Sequence, residues 1–479
     1  MNTSHPAAII NSPGLAEDSS ASPKARIARI LGTSVFISLL VLIVLTAIPY
    51  GTAEEWWKAF FVCAVFALTI LWLIEGLLIG SWITDGLSLA LPIAALSLLA
   101  FLQTLSFGQS GIQPKPLNAI SADPYQTRFF VVQLLALMLT GILLFRYATS
   151  VGRVRLLINV VIAAAVLSAL FGILRQTAQH QLGFALPLLP LESGYGQFIN
   201  KNHFAFLMEM GFGLCLGMIL GGVRKREQAL IYFAALLPMW TGLVLCGSRG
   251  GLIAMLAQVV CAALLFGMVA ARGHTVQTSS TISRVVQSWA MRATLLLVLI
   301  CGVVFGTLWM GGDRLAEKIE ASRQELSFET DASRQGASRN EIWRLTLRMF
   351  ASHPVLGVGM GAYWVALPAF HDASGTTRPQ EAHNDYLELL ASGGLVGFAI
   401  ALWFAVVVFR RTRKNLQSAN SFRRAVCFGA TIGIIGVAIH SLVDFGLHMM
   451  VNALVFTTLI VIATSNPRWP DPRNAETHE

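Results

Sequence analysis

Charge is scarce in this sequence. Asp, Glu, Lys and Arg together make up 12% of the 479 residues, while 55% are hydrophobic. A soluble domain carries about 25% charged residues, so composition excludes an ordinary soluble protein and requires apolar surface to be hidden in lipid. Cysteine is sparse as well. All six (Cys63, Cys215, Cys246, Cys261, Cys301 and Cys427) fall in apolar stretches, and no C-x-x-C pair exists, which argues against both a disulfide framework and a zinc site. No internal repeat is evident, and that weakens an inverted-repeat transporter. The glycine-rich run Gly357-Val358-Gly359-Met360-Gly361 has no Gly-Lys-Ser/Thr, so it is not a phosphate-binding P-loop. It is expected to be a tight turn that returns the chain to the membrane.

What is present is a series of long apolar runs. Val35–Ile48, Leu134–Phe145, Leu252–Ala270 and Leu395–Phe409 contain no charge, and with their flanks they reach the ~20 residues that a spanning helix needs. They are apolar on every face, so periodicity adds little. About twelve spans are predicted, at 30–49, 59–79, 87–105, 129–146, 156–174, 203–221, 229–247, 251–271, 293–311, 394–409, 425–441 and 449–464. The expected fold is therefore all-α, a polytopic membrane protein. Lys and Arg set its orientation. Lys24, Arg26 and Arg29, then Arg146, Arg153 and Arg155, then Arg224, Lys225 and Arg226, then Arg272, Arg284 and Arg292, and last Arg410 to Lys414 with Arg423 and Arg424, all fall on one side. That side is expected to be cytoplasmic and to hold both termini. The bias accounts for the net charge of +9 without nucleic-acid binding. Residues 1–23 and 466–479 are expected to be cytoplasmic tails, the first disordered.

One large external loop remains, at about 312–383. It contains Arg314, Arg339 and Arg344 among its cations. Each either pairs with loop carboxylates on solvated helices or offers the lipid face a fixed positive charge for an anion such as a lipid diphosphate. Ser338 and Glu341 form a capping box for a helix from Arg339 to about Ser352, with Ile342, Leu345, Met349 and Phe350 as its apolar stripe. Arg339 sits in the first turn, against the helix dipole. Two shorter segments join this face: Gly194–His203, with Asn200 and Asn202, and the turn Gly247-Ser248-Arg249-Gly250-Gly251. Arg249 at a bilayer edge either snorkels or has a partner. Asp444 orients a helix end, pairs with an external arginine, or positions His440. His383 ends the loop, at the membrane–water boundary, where a histidine suits a catalytic base.

These pieces together resemble the O-antigen ligase and Wzy-type polymerase superfamily of bacterial envelope glycosyltransferases. His383-Asn384, nine residues, Gly394, two residues, Gly397 matches the ligase signature. Ser248-Arg249-Gly250-Gly251 looks like the family's Ser-Arg-Gly motif. Arg339 to Trp343 followed by His353-Pro354-Val355-Leu356-Gly357-Val358-Gly359 resembles its Arg, Trp, His-Pro-Leu-Gly-Val-Gly stretch, with Val355 as an extra residue. Asn200 and Asn202 sit as in its Asn-x-Asn segment. The resemblance covers roughly 190–465 and implies an O-antigen ligase-related transmembrane domain over 191–465, after N-terminal transmembrane helices at 24–190.

The resemblance implies a GT-C-like fold in the bacterial inner membrane with the long loop in the periplasm. It further implies an inverting, metal-independent transferase without a cofactor. The donor would be a glycan on a polyprenyl diphosphate, and the acceptor a sugar hydroxyl, on lipid A–core or another glycan. Membrane lipids and polysaccharide export machinery are the other expected partners. In this reading His383 is the base. Arg249 and Arg339 grip the diphosphate, with Arg314 and Arg344 in reserve, and Asn200, Asn202, Asn384 and Asp444 contact other parts of the substrates. A transporter or glycan flippase is the competing class. It predicts ionisable groups at the membrane midplane, where only Glu75 and Glu209 are obvious.

Overall fold

A computed structural model of the chain describes residues 22–48, 50–81, 86–106, 119–182, 194–222, 226–272, 339–371 and 379–465. Its helices are α1 (Pro23–Thr46), α2 (Glu55–Ile79), α3 (Leu87–Gln103), α4 (Pro124–Tyr147), α5 (Val151–Leu182), α6 (Lys201–Gly217), α7 (Arg226–Cys246), α8 (Arg249–Arg272), α9 (Arg339–Ser352), α10 (Tyr363–Ala366), α11 (Asp385–Leu416), α12 (Ser421–His440) and α13 (Met450–Thr464). Eight of them are long and apolar enough to cross a membrane, and three shorter ones are comparably apolar. These eleven coincide with eleven of the twelve predicted spans. The twelfth, at 293–311, lies outside the described residues, as do Arg314, loop residues 312–338 and 372–378, and nearly all of both expected tails. The protein is an all-α, multi-pass membrane protein.

The centre of the bundle is α6, enclosed on all sides by α5, α7, α8, α12 and α13. A helix that is apolar all round belongs in such a place. Its closest partner is α12, and the cause is four glycines. A Cβ built on Gly213 would lie 2.4 Å from the Gly433 nitrogen, and one on Gly217 would lie 2.6 Å from the Gly429 α-carbon. Lipid supplies no hydrophobic drive between helices, so backbones that approach this closely supply dispersion contact instead. The two acids inside the bundle are both partnered. Glu75 accepts hydrogen bonds from Tyr147 Oη and Arg146, and Glu209 meets His440.

Helix α11 differs from its prediction in a way that shapes the site. It starts at Asp385, well before the predicted span, and it is broken at Gly394, where φ is 62° and ψ is −165°. The run 354–359 threads this break. Val358 and Gly359 N–H donate to the carbonyls of Ala391 and Ser392, and Leu395 and Val396 N–H donate to those of Pro354 and Val355, all at 2.8–3.2 Å. Backbone groups freed by a break at membrane depth must be satisfied by protein, and the loop satisfies them. Gln103 at the end of α3 locks the knot. Its amide donates to Leu356 and Ser392 carbonyls at 2.5 and 3.0 Å and accepts from Met360 N–H at 3.0 Å. The glycine-rich run makes tight turns, with positive φ at Gly357, Gly359 and Gly361, and it is also a splint across a broken helix.

Candidate active site

The site is built at the N-terminal end of α11. Asn384 caps that helix, its Oδ1 accepting from Tyr386 and Leu387 N–H at 3.1 and 3.0 Å. Asn200 does the same for α6, accepting from Asn202 N–H at 2.9 Å. Both side-chain oxygens that the sequence reading gave to substrate therefore satisfy helix ends. The next bonds fix α11 against α12. Asp385 N–H donates to the Ser441 carbonyl at 3.0 Å, Ser441 Oγ donates to Asp385 Oδ2 at 2.6 Å, and Tyr386 Oη donates to the Ala438 carbonyl at 2.8 Å.

On the other side, α9 buries Ile342, Leu345 and Met349 as predicted. Thr346 is buried with them and shares a 2.6 Å hydrogen bond with Tyr363 Oη, while Phe350 is only half-buried. Trp343 Nε1 reaches from α9 to the Ala382 carbonyl at 3.0 Å, and Ala382 N–H donates to Glu388 Oε2 at 2.8 Å. Ala382 is gripped from both sides, so the next residue has little freedom. His383 takes φ of 50°. This left-handed conformation is costly for a residue with a Cβ and is retained where the surroundings force it.

Asp444 joins these elements. It lies between α12 and α13 with its side chain 1% exposed. Asn202 Nδ2 donates to Oδ2, and Phe445 N–H donates to Oδ1 at 2.9 Å. Arg339 Nη2 stands 3.7 Å from Oδ2, and His383 Nδ1 stands 3.8 Å from Oδ1. Burial alone would raise this carboxyl. His383 and His203 beside it, together with the Phe445 N–H, outweigh burial and hold it down to about 2. Asp444 is thus an anion across the physiological range, facing a histidine and an arginine. His383 Nδ1 is buried without a hydrogen-bond partner, although 32% of the side chain is exposed. The imidazole faces Asp444 with one edge and packs against Phe445, and about a third of the side chain stays open.

Of the three roles open to Asp444, the structure favours pairing with an arginine. His440 is held instead by Glu209, at 2.7 Å. Arg249 begins α8, and its neighbour Gly250 abuts His440 and Val443, the residue before Asp444. The Arg249 turn therefore borders the Asp444 segment. Arg344 is exposed on α9 and is not among the partners of Asp444. Asn202, Asp444, Arg339 and His383 are brought together; Arg344 is not.

A second group went unnoticed in the sequence. Phe445 makes edge contacts with His203, His383 and His448 at centroid distances of 4.8, 4.9 and 5.7 Å. His448 Nδ1 lies 3.3 Å from Glu381 Oε2, and its Nε2 is 3.6 Å from both Asp385 and Glu388. Burial would lower the His448 pKa, but Glu381 and Glu388 raise it well above the ordinary value. Glu381, Glu388 and His448 are the group among the described residues whose donor atoms lie close enough, within 4.8 Å, to converge on a metal ion. With Asp385 they form a network in which three carboxylates surround one imidazole. The only signal in the sequence was a histidine four residues after Asp444.

Chemically, a carboxylate-backed imidazole open to substrate, beside a guanidinium, can take a proton on one side and hold an anion on the other. Residues 234–402 match the family model described as O-antigen ligase. That stretch contains Arg249, Arg339 and His383, whereas Asn202 and Asp444 lie outside it. No curated protein matches the chain.

Proposed function

We propose, from the O-antigen ligase domain this chain carries at 234–402, that the protein transfers a glycan from a polyprenyl diphosphate to a sugar hydroxyl on the periplasmic face of the inner membrane. One observation carries the reading. Asp444 gathers Arg339 from α9 and His383 from the start of α11 within 4 Å of one buried carboxylate.

The acceptor hydroxyl is a poor nucleophile near neutral pH. His383 takes its proton as the oxygen attacks the anomeric carbon of the donor sugar. The bond from that carbon to the phosphate oxygen breaks, and the lipid diphosphate leaves with the electron pair, inverting the centre. Arg339 and Arg249 hold the leaving anion, and a planar guanidinium can grip it through two parallel bonds. Grip that strengthens as charge develops lowers the barrier. Asp444 orients His383 and stabilises the imidazolium that forms, as carboxylates do behind catalytic histidines. The 3.8 Å gap between them exceeds a hydrogen bond and is expected to close when substrate binds. No step needs a nucleotide sugar.

Ligase and polymerase share this chemistry and differ in acceptor. A deletion strain complemented with wild type or His383→Ala separates them by chain length and attachment on a gel. Lipid-linked polymer accumulating without attachment to lipid A means ligase, and single repeat units left attached mean polymerase. Transfer that persists with His383→Ala overturns the assignment of the base.

A further inference from the structure

We infer that Glu209 and His440, fully enclosed in the bundle and outside the proposed chemistry, form a positioning pair that sets the Arg249 turn and the Asp444 segment relative to each other. The inference rests on the proposed transfer reaction.

Both side chains are 0% exposed, and His440 Nδ1 is 2.7 Å from Glu209 Oε1. A single hydrogen bond joins them whichever partner carries the proton. The remaining polar atoms, Glu209 Oε2 and His440 Nε2, are buried with no hydrogen-bond partner. Such a pair is a poor stabiliser. Desolvation offsets most of its attraction, and apolar residues of similar volume often do as well or better. Ionisable groups in a membrane bundle point to a role beyond packing.

The contacts of His440 identify that role. Its ring lies flat on Phe206, with centroids 4.1 Å apart and planes at 14°. Its free edge faces Gly250, where an added Cβ would lie 2.6 Å from Nε2. Only a glycine lets the turn seat this closely. Its carbonyl accepts the N–H groups of Val443 and Asp444, at 2.9 and 3.1 Å. Phe206 extends the grip, since a Cβ on Gly446 would lie 2.2 Å from its ring. One residue, His440, thus touches the Arg249 turn through its ring and the Asp444 N–H through its backbone carbonyl, and Glu209 on α6 fixes the angle of that ring. Cation and carboxylate come from α8 and from the end of α12, and the pair is where those elements meet α6.

The test is the double variant Glu209→Leu with His440→Leu, which leaves no buried charge unpaired, beside Glu209→Gln, which keeps a hydrogen bond to the ring. Hydrogen exchange at 248–251 and 443–446 is read on purified protein in detergent, with thermal unfolding. We expect the double variant to unfold no earlier than wild type, yet to exchange about tenfold faster in both segments, because local opening follows local contacts. Glu209→Gln restores protection. In the transfer assay kcat falls about tenfold to a hundredfold at nearly unchanged KM, as displacement of a positioned group does. Adding Arg249→Ala then costs less in the double variant than in wild type, because the two changes disable one arrangement. Unchanged exchange in both segments, or an additive loss with Arg249→Ala, overturns the inference. Normal exchange effects in a protein whose wild type transfers no glycan would instead overturn the reaction and leave the positioning role standing.

Discussion

Two of the carboxylate–histidine pairs among the described residues, Glu209–His440 and Asp444–His383, lie near one another and are built in opposite ways. Glu209 and His440 are 2.7 Å apart and wholly enclosed, on helices that cross through packed glycines. Asp444 and His383 are 3.8 Å apart, with the carboxylate buried and the imidazole 32% exposed. The first pair is closed, and every face of it meets protein. The second is open on the histidine side, its backbone is held in a left-handed turn, and an arginine stands beside its carboxylate. In the proposed reading the short contact belongs to the pair that holds structure, and the longer contact with access to the pair that does the chemistry. Selecting a base by hydrogen-bond length alone would choose His440, which no substrate can reach.

The largest way to break this contrast is His383→Ala. Loss of a general base typically costs about a hundredfold to ten-thousandfold, so transfer should nearly vanish while protein level and membrane insertion stay normal. Expression blots beside the glycan gel check both. Arg339→Lys comes next. It keeps the charge and loses the planar fork, and about a hundredfold fall in kcat is expected from losing an electrostatic stabiliser; Arg249→Lys should behave alike. Full activity of either lysine variant would mean that only net charge matters there.

Gly394→Ala attacks the scaffold rather than the chemistry. The new Cβ would lie 2.3 Å from the Val355 carbonyl oxygen, at a φ of 62°. Strain of this kind costs roughly 1–3 kcal/mol, visible as earlier thermal unfolding in detergent, with activity falling in step.

The smallest effect is a pH dependence. The Asp444 carboxyl is depressed from 3.8 to about 2, so its contribution to stability is fully present above 3.8 and is lost as pH falls through about 2. Asp444→Asn should therefore be less stable than wild type at pH 6, and the gap should narrow only below about pH 4. A gap that already closes between pH 6 and 5 would contradict the depressed value.

The spans were legible because each is a continuous apolar run, and eleven of twelve coincide with helices. The helix at Arg339 was legible from its stripe, and the similarity to the O-antigen ligase family model over 234–402 from motifs at Arg249 and His383. Pairings were not legible. Glu209 and His440 lie 231 residues apart, and Asn202 and Asp444 lie 242 apart, and no local pattern in the chain encodes such a contact. Asn384 looks like a substrate ligand because it follows His383, and in the structure its oxygen caps α11. The broken helix was hidden because the predicted span began at Gly394 itself, so the turns from Asp385 and the break between them were not joined to it. The break depends on a loop that returns from 354–359 to take up the freed carbonyls.

The most direct test of the account is to compare the two histidines in one transfer assay, His383→Gln against His440→Gln, with initial rates normalised to folded protein. Glutamine retains a hydrogen-bonding side chain at each position but cannot serve as a base. The account predicts that His383→Gln loses transfer about a hundredfold or more while still folding, and that His440→Gln keeps a substantial part of it, since that histidine only positions. Equal or inverted losses would contradict the assignment of the open pair to the chemistry and the closed pair to the structure.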